Sequence, residues 1–113
     1  MKTIAELRNA ILRKALGAVK AEVVRIAGED ARLIIYGSYA RGEEREDSDV
    51  DIMVILPDEV ASEEIEDIVW NAIFEVGYET DFLLSAIIVS ESQVKKFEGF
   101  KVFGSVEKEG VPI

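Results

Sequence analysis

Residues 37–54 read Gly37-Ser38-Tyr39-Ala40-Arg41-Gly42-Glu43-Glu44-Arg45-Glu46-Asp47-Ser48-Asp49-Val50-Asp51-Ile52-Met53-Val54. The stretch opens on a glycine turn, runs through a polar segment, and closes on a hydrophobic strand with two aspartates at its start. Aspartate is depleted in strands, so Asp49 and Asp51 need a reason. Period two puts both on one face, with Val50, Ile52 and Val54 on the other. Two like charges this close repel and raise one pKa unless a cation sits between them. Magnesium is the natural cation, because it accepts one or two carboxylates and keeps open positions for water and phosphate. Gly37 allows close backbone approach to a ligand, and Ser38 adds a hydroxyl. If residues 38–41 begin a short helical turn, its free N–H groups point at an anion, and Arg41 supplies a further phosphate contact. A phosphate cradle beside a metal-binding pair suits phosphoryl or nucleotidyl transfer.

The flanking sequence supplies the frame. Thr3 and Glu6 form a capping box, followed by Ile4, Leu7, Ile11, Ala15, Val19, Val23 and Ile26 at helical spacing, with Gly28 as C-cap. This predicts a helix over residues 3–27. Residues 33–36 read as a first strand and 49–56 as a second, stopped by Pro57-Asp58. Ser62 caps a second helix with a stripe of Ile65, Ile68, Val69, Ala72, Ile73 and Val76, ended by Gly77. Residues 82–89 read as a third strand, and Ser90 with Gln93 as a second capping box. The tail from residue 97 to 113 is broken by Gly99, Gly104 and Gly110 and has no clear reading. The order α-β-β-α-β-α predicts an α+β fold, a small mixed sheet with helices packed on it. No repeat or linker divides it, so residues 1–113 are expected to form one domain.

Composition narrows the chemistry. The 113 residues contain no histidine and no cysteine. Imidazole catalysis, disulfides, thiolate zinc sites and cysteine nucleophiles are excluded. Acid–base and metal chemistry must rest on carboxylates. The net charge is −10 and is uneven. Residues 1–42 hold eight basic and four acidic side chains, and residues 43–67 hold twelve carboxylates against Arg45 alone. The acidic excess disfavours direct nucleic-acid binding and favours a basic protein partner. The longest apolar run, residues 52–56, is too short to span a bilayer. With no signal peptide at the N-terminus, a cytoplasmic protein is expected.

Gly37-Ser38, ten residues, then Asp49-Val50-Asp51 resembles the signature of the DNA polymerase β-like nucleotidyltransferase superfamily. The fuller run resembles the minimal nucleotidyltransferases, including the antitoxins of HEPN/MNT toxin–antitoxin pairs. The resemblance implies the polymerase β-like fold, with Gly37 and Ser38 holding ATP and Asp49 and Asp51 binding Mg²⁺. It implies transfer of AMP to a hydroxyl, on a tyrosine of a HEPN ribonuclease partner. The family's third carboxylate belongs on the following strand, but residues 82–89 contain no acid. Asp81, with Glu79 behind it, stands before that strand and shares parity with Ser85 and Ile87, whereas the register places the third acid nearer residues 85–87. Three outcomes are open: Asp81 serves, a partner supplies the group, or nucleotide binds without turnover. The alternatives to the antitoxin enzyme are a non-catalytic binding module and a small-molecule nucleotidyltransferase.

Four other features have a simpler reading. Trp70, Phe74 and Tyr78 recur at i, i+4, i+8 and are expected to pack in the core or at its edge. Tyr36 is expected to be structural, and Tyr39 to line the nucleotide site. Arg8, Arg13, Lys14, Lys20 and Arg25 are expected on a solvated helix face.

Overall fold

A computed structural model of the chain describes residues 10–113. The Thr3–Glu6 capping box, Ile4, Leu7 and Arg8 lie outside the described residues. The elements are α1 (Ala10–Ala27), β1 (Arg32–Tyr36), α2 (Ser38–Arg41), β2 (Val50–Leu56), α3 (Glu63–Thr80), β3 (Leu84–Ser90), α4 (Glu91–Lys96), α5 (Lys101–Glu109) and β4 (Val111–Pro112). The four strands form one mixed sheet in the order β3-β2-β1-β4. β1 pairs antiparallel with β2 and β4, and β2 pairs parallel with β3. A parallel pair needs a long crossover, and α3 provides it.

The sheet is covered on both faces, which is why β2 reads as a continuous apolar run after Asp51. Ile52 and Val54 enter the larger core with Leu16, Val19 and Val23 of α1 and Val69 and Ile73 of α3. Met53 and Ile55 face the smaller core with Ile34 and Val106 of α5. The buried stripe of α1 is Leu12, Ala15, Leu16, Val19, Val23 and Ala27. Ile11, expected in that stripe, is 67% exposed. The helix is rotated so that Leu12 and Leu16 meet the sheet, and the adjacent leucines made the period ambiguous. On α3, Val69, Ile73 and Val76 are buried as expected, but Ile68 is exposed.

Three boundaries differ from the sequence reading. Gly77 does not end α3, which runs on to Thr80 with Asp81 as its C-cap in the left-handed region (φ 61°). Gly77 is instead a packing residue. A Cβ there would lie 2.8 Å from the Phe82 carbonyl oxygen and 3.3 Å from the Leu84 side chain. β3 begins at Leu84, two residues later than expected. The tail forms α5, which continues through Gly104, and β4, which adds an edge strand to β1. Sheet pairing and the Val106 contact stabilise the tail beyond what local propensity indicates.

The Ser90 capping box is present, with Gln93 N–H donating to Ser90 Oγ and the Gln93 side chain accepting from Ser90 N–H. Asp58 strengthens the same helix start from across the loop. Its carboxylate accepts from Ser92 Oγ at 2.6 Å and from Ser92 N–H at 3.0 Å. The Ser92 hydroxyl and amide hold the Asp58 carboxyl below its usual pKa. A depressed carboxylate stabilises the fold above its unfolded pKa and loses that effect as pH falls through the folded value. Asp58→Asn is therefore expected to melt below wild type at pH 7, with the gap closing below about pH 4. A gap that stays constant from pH 7 to pH 3 in thermal melts would contradict the charge-based account.

Candidate active site

The site forms where three chain segments meet at one end of the sheet. β1 ends at Tyr36, and Gly37 follows with φ 80° and ψ −158° as the N-cap of α2. β2 begins alongside, and its Asp51 is the antiparallel partner of Tyr36. Gly37 and Asp51 are in close contact. A Cβ on Gly37 would overlap Oδ2 of Asp51 and stand 3.2 Å from its Cγ. The missing side chain thus lets the Asp51 carboxylate lie against the backbone where α2 starts.

The helical turn expected from the sequence is present. α2 is a single turn, with Arg41 N–H donating to the Gly37 carbonyl at 3.1 Å. The amides of Ser38, Tyr39 and Ala40 therefore have no acceptor within the helix. Gly42, in the left-handed region, closes the turn. Arg45 and Ser48 then make a second small turn, in which Arg45 N–H donates to Ser48 Oγ at 2.8 Å. It delivers the chain to Asp49. Val50 N–H donates to the Leu83 carbonyl at 2.9 Å, tying this entrance to the approach of β3.

Asp49 is exposed just before β2, and Asp51 is half-buried within it. Burial pushes the Asp51 carboxyl up in pKa, and the Asp49 charge adds to the rise. Arg41 opposes it, while Glu109 reinforces it. Tyr36 is also raised, first by burial and then by Asp51. A carboxylate that resists its own charge, with a second one close by, is a suitable donor set for a hard divalent cation. Among the described residues, no group of three or more carboxylates gathers closely enough to hold a metal. The fit is therefore to an ion that takes two carboxylates and completes its shell from water and phosphate.

Arg41, expected as a phosphate contact, stands near Asp51 but is already engaged. Its Nη1 donates to Glu109 at 2.9 and 3.1 Å, and its Nε lies 3.5 Å from Glu43. The bond to Glu109 holds the guanidinium firmly protonated. The sequence reading missed Glu109, because it ends a helix that the tail's glycines concealed. Tyr39 differs from expectation. It is 9% exposed and packs edge-to-face on Phe82 at 6.4 Å, inside the larger core. One turn of α2 turns the ring away from the surface that carries Asp51.

Asp81 does not continue the parity of Ser85 and Ile87, because it caps α3 and precedes β3. The residue that registers against Asp51 on β3 is Ser85. Asp tolerates the left-handed region better than most residues, but glycine is freer there. Asp81→Gly is expected to keep the melting temperature or raise it, and to leave nucleotidyl transfer within about threefold. A fall of a hundredfold in a label-transfer assay, with the melt unchanged, would make Asp81 a participant in the chemistry.

Trp70, Phe74 and Tyr78 are not core residues. They are 49%, 58% and 81% exposed, and Trp70 stacks on Phe74 at 5.6 Å. Two of the α1 cations have defined partners, one of them distant in sequence. Arg25 pairs with Glu22, and Lys20 Nζ donates to the Ile113 carbonyl. Among the described residues, no helix is long and apolar enough to cross a membrane.

Comparisons with known proteins show the family and the fold. A model of the nucleotidyltransferase domain matches residues 12–102. The chain is 42% identical over 74 residues to the "Putative protein adenylyltransferase MJ1215" of Methanocaldococcus jannaschii, covering 63% of this chain and 79% of that one. It is 28% identical over 109 residues to the "Putative protein adenylyltransferase MJ0604" of the same organism, covering 96% and 92%. A crystal structure of "a putative nucleotidyltransferase from Sulfolobus solfataricus" shares the fold with a TM-score of 0.50 and 18% identity, over 92% of this chain and 86% of that chain. A matched segment that runs from α1 into α5 and contains both Gly37-Ser38 and Asp49-Val50-Asp51 carries the conclusion: the chain belongs to the nucleotidyltransferase domain family and is a nucleotidyltransferase.

Proposed function

We propose that the protein transfers AMP from ATP, in a Mg²⁺-dependent reaction, to a hydroxyl group on a partner protein. The single observation that carries the reading is the contact between Gly37 and Asp51. It sets a carboxylate with raised proton affinity beside the amides that start α2. The names of the two Methanocaldococcus jannaschii relatives support adenylyl transfer to protein. The resemblance to HEPN/MNT antitoxins makes a HEPN-type ribonuclease the expected acceptor, in the cytoplasm. The acidic excess after residue 42 suits a basic partner.

In this reading Asp49 and Asp51 hold the Mg²⁺. When bound, the ion neutralises triphosphate charge and polarises the reacting phosphate. The amides of Ser38 and Tyr39 bind phosphate oxygens, and Gly37 gives them room. Arg41, oriented by Glu109, adds positive charge beside the leaving group. The acceptor oxygen forms a bond to the α-phosphorus. The bond from that phosphorus to the bridging oxygen breaks, and pyrophosphate leaves with the electron pair. The acceptor's proton passes to water.

A second reading is favoured by the lack of a three-carboxylate cluster among the described residues. In it the protein binds nucleotide and partner without turnover. Incubation with α-labelled ATP, Mg²⁺ and the product of the neighbouring gene separates the two. Labelled partner supports transfer, and labelling of a small-molecule acceptor without any protein would replace it. A stable complex that acquires no label, and that Asp49→Asn/Asp51→Asn leaves intact, supports the binding module.

A further inference from the structure

The sheet leaves β3 as an outer strand next to the catalytic strand. Among the described residues, no strand pairs with its outer side. Natural proteins protect such edges with charge, proline or a bulge, because an open row of amides and carbonyls templates further pairing. β3 reads Leu84-Ser85-Ala86-Ile87-Ile88-Val89-Ser90, with no charge and no proline over seven residues. An unprotected edge of this length is suited to receive an added strand.

Register connects that edge to the chemistry. Ser85 is the β3 partner of Asp51. A strand added outside β3 would lie two strand spacings from β2, about 10 Å from Asp51. Leu84, one residue earlier, points to the opposite face. There it lines a groove of about 180 Å³ with Phe74, Gly77, Tyr78, Phe82 and Leu83. Phe74, Tyr78 and Leu83 are exposed, so the groove presents uncovered apolar surface. Asp81, exposed at the C-cap of α3, precedes Phe82 and Leu83 of the groove, whereas Glu75 and Glu79 line another cavity, against α1. Consecutive residues of an added strand face opposite ways. A residue beside Leu84 would enter the groove, and its neighbour beside Ser85 would face the Asp49–Asp51 side.

We propose that the outer edge of β3 docks the acceptor protein as an added strand, with one apolar side chain in the groove and the adjacent hydroxyl directed at Asp49 and Asp51. The inference rests on the transfer reading above and names how its acceptor is recognised. The occupant is an extended segment with an apolar residue immediately next to a hydroxyl residue, flanked by lysine or arginine. A second copy of this chain fits less well, because two chains of net charge −10 would meet across the edge, with Asp81 beside each groove.

The test uses the full chain, α-labelled ATP with Mg²⁺, and synthetic peptides. One Lys-flanked peptide carries Leu-Tyr in succession, a second carries Leu-Ala-Tyr, and a third repeats the first with alternate backbone amides N-methylated. Mg²⁺-dependent ATP binding is measured in parallel by calorimetry. The expected result is labelling of the first peptide at least tenfold above the second and third. Leu83→Glu, at an exposed position, is expected to lower that labelling at least tenfold with its melting temperature kept. Equal labelling of all three peptides overturns edge docking and leaves the transfer reading standing. No labelling of any peptide, with ATP binding intact, likewise overturns the docking proposal. Failure to bind ATP with Mg²⁺ overturns the transfer reading itself. A dimer in sedimentation that Leu83→Glu dissociates identifies the second copy as the occupant and overturns the acceptor role.

Discussion

Asp51→Asn is expected to reduce nucleotidyl transfer by at least about a thousandfold, and Asp49→Asn by a similar order. A metal ion contributes several kcal/mol of transition-state stabilisation, and each 1.36 kcal/mol is a factor of ten. An amide supplies one neutral oxygen where the ion needs a charged ligand. The same change is expected to leave Asp51→Asn as stable as wild type or more so. Burial and Asp49 raise the Asp51 pKa in the folded protein. The fold therefore disfavours the ionised form that dominates at neutral pH. The neutral amide removes that conflict, a trade of stability for function common at active sites. Single-turnover transfer of labelled AMP, read beside a thermal melt, checks both halves. A variant that loses activity and melts well below wild type would mean that Asp51 is structural.

Gly37→Ala is expected to damage both stability and activity, for two separable reasons. Gly37 has φ 80° and ψ −158°, a backbone region that is nearly restricted to glycine. A side chain there costs about 1–3 kcal/mol through the backbone alone. The added methyl also overlaps the Asp51 carboxylate. That carboxylate must rotate away, and the proposed metal-binding pair of Asp49 and Asp51 loses its geometry. Transfer is expected to fall about a hundredfold or more, since misplacement by about 1 Å costs that much. Denaturant titration of Gly37→Ala with and without Asp51→Ala separates the terms. With Asp51 truncated, the clash disappears and only the backbone cost remains. Equal destabilisation in both backgrounds would show that Asp51 does not fill the space beside Gly37.

The candidate site was unusually legible in the sequence, and most of its parts have local causes. A glycine after a strand, a polar turn, and two aspartates of one parity are short-range features. Each is set by backbone freedom or by the two-residue period of a strand. The absence of histidine and cysteine left carboxylates as the available chemistry. The mixed sheet, the Ser62 and Ser90 helix starts and most of the core followed from the same short-range rules. What failed depended on contacts distant in sequence. Tyr39 and Trp70 are both aromatic, and the sequence reading exchanged their environments. Only the packing of α2 on Phe82 buries the first, and the second lies on an exposed face of α3, stacked on Phe74.

Sequence alone thus determined the family, the strand–turn–strand unit and the placing of Gly37-Ser38 near Asp49 and Asp51, because these depend on residues between Arg32 and Leu56, close together in the chain. Tertiary structure decided that Arg41 meets Glu109, sixty-eight residues away. It also decided that Asp81 caps a helix, that Ser85 stands beside Asp51, and that β4 completes the sheet. The physical reason is that strand register and helix ends are settled by which surfaces bury together. The glycine-broken tail becomes α5 and β4 only when Val106 and Val111 find Ile34 and Ile35 on the sheet.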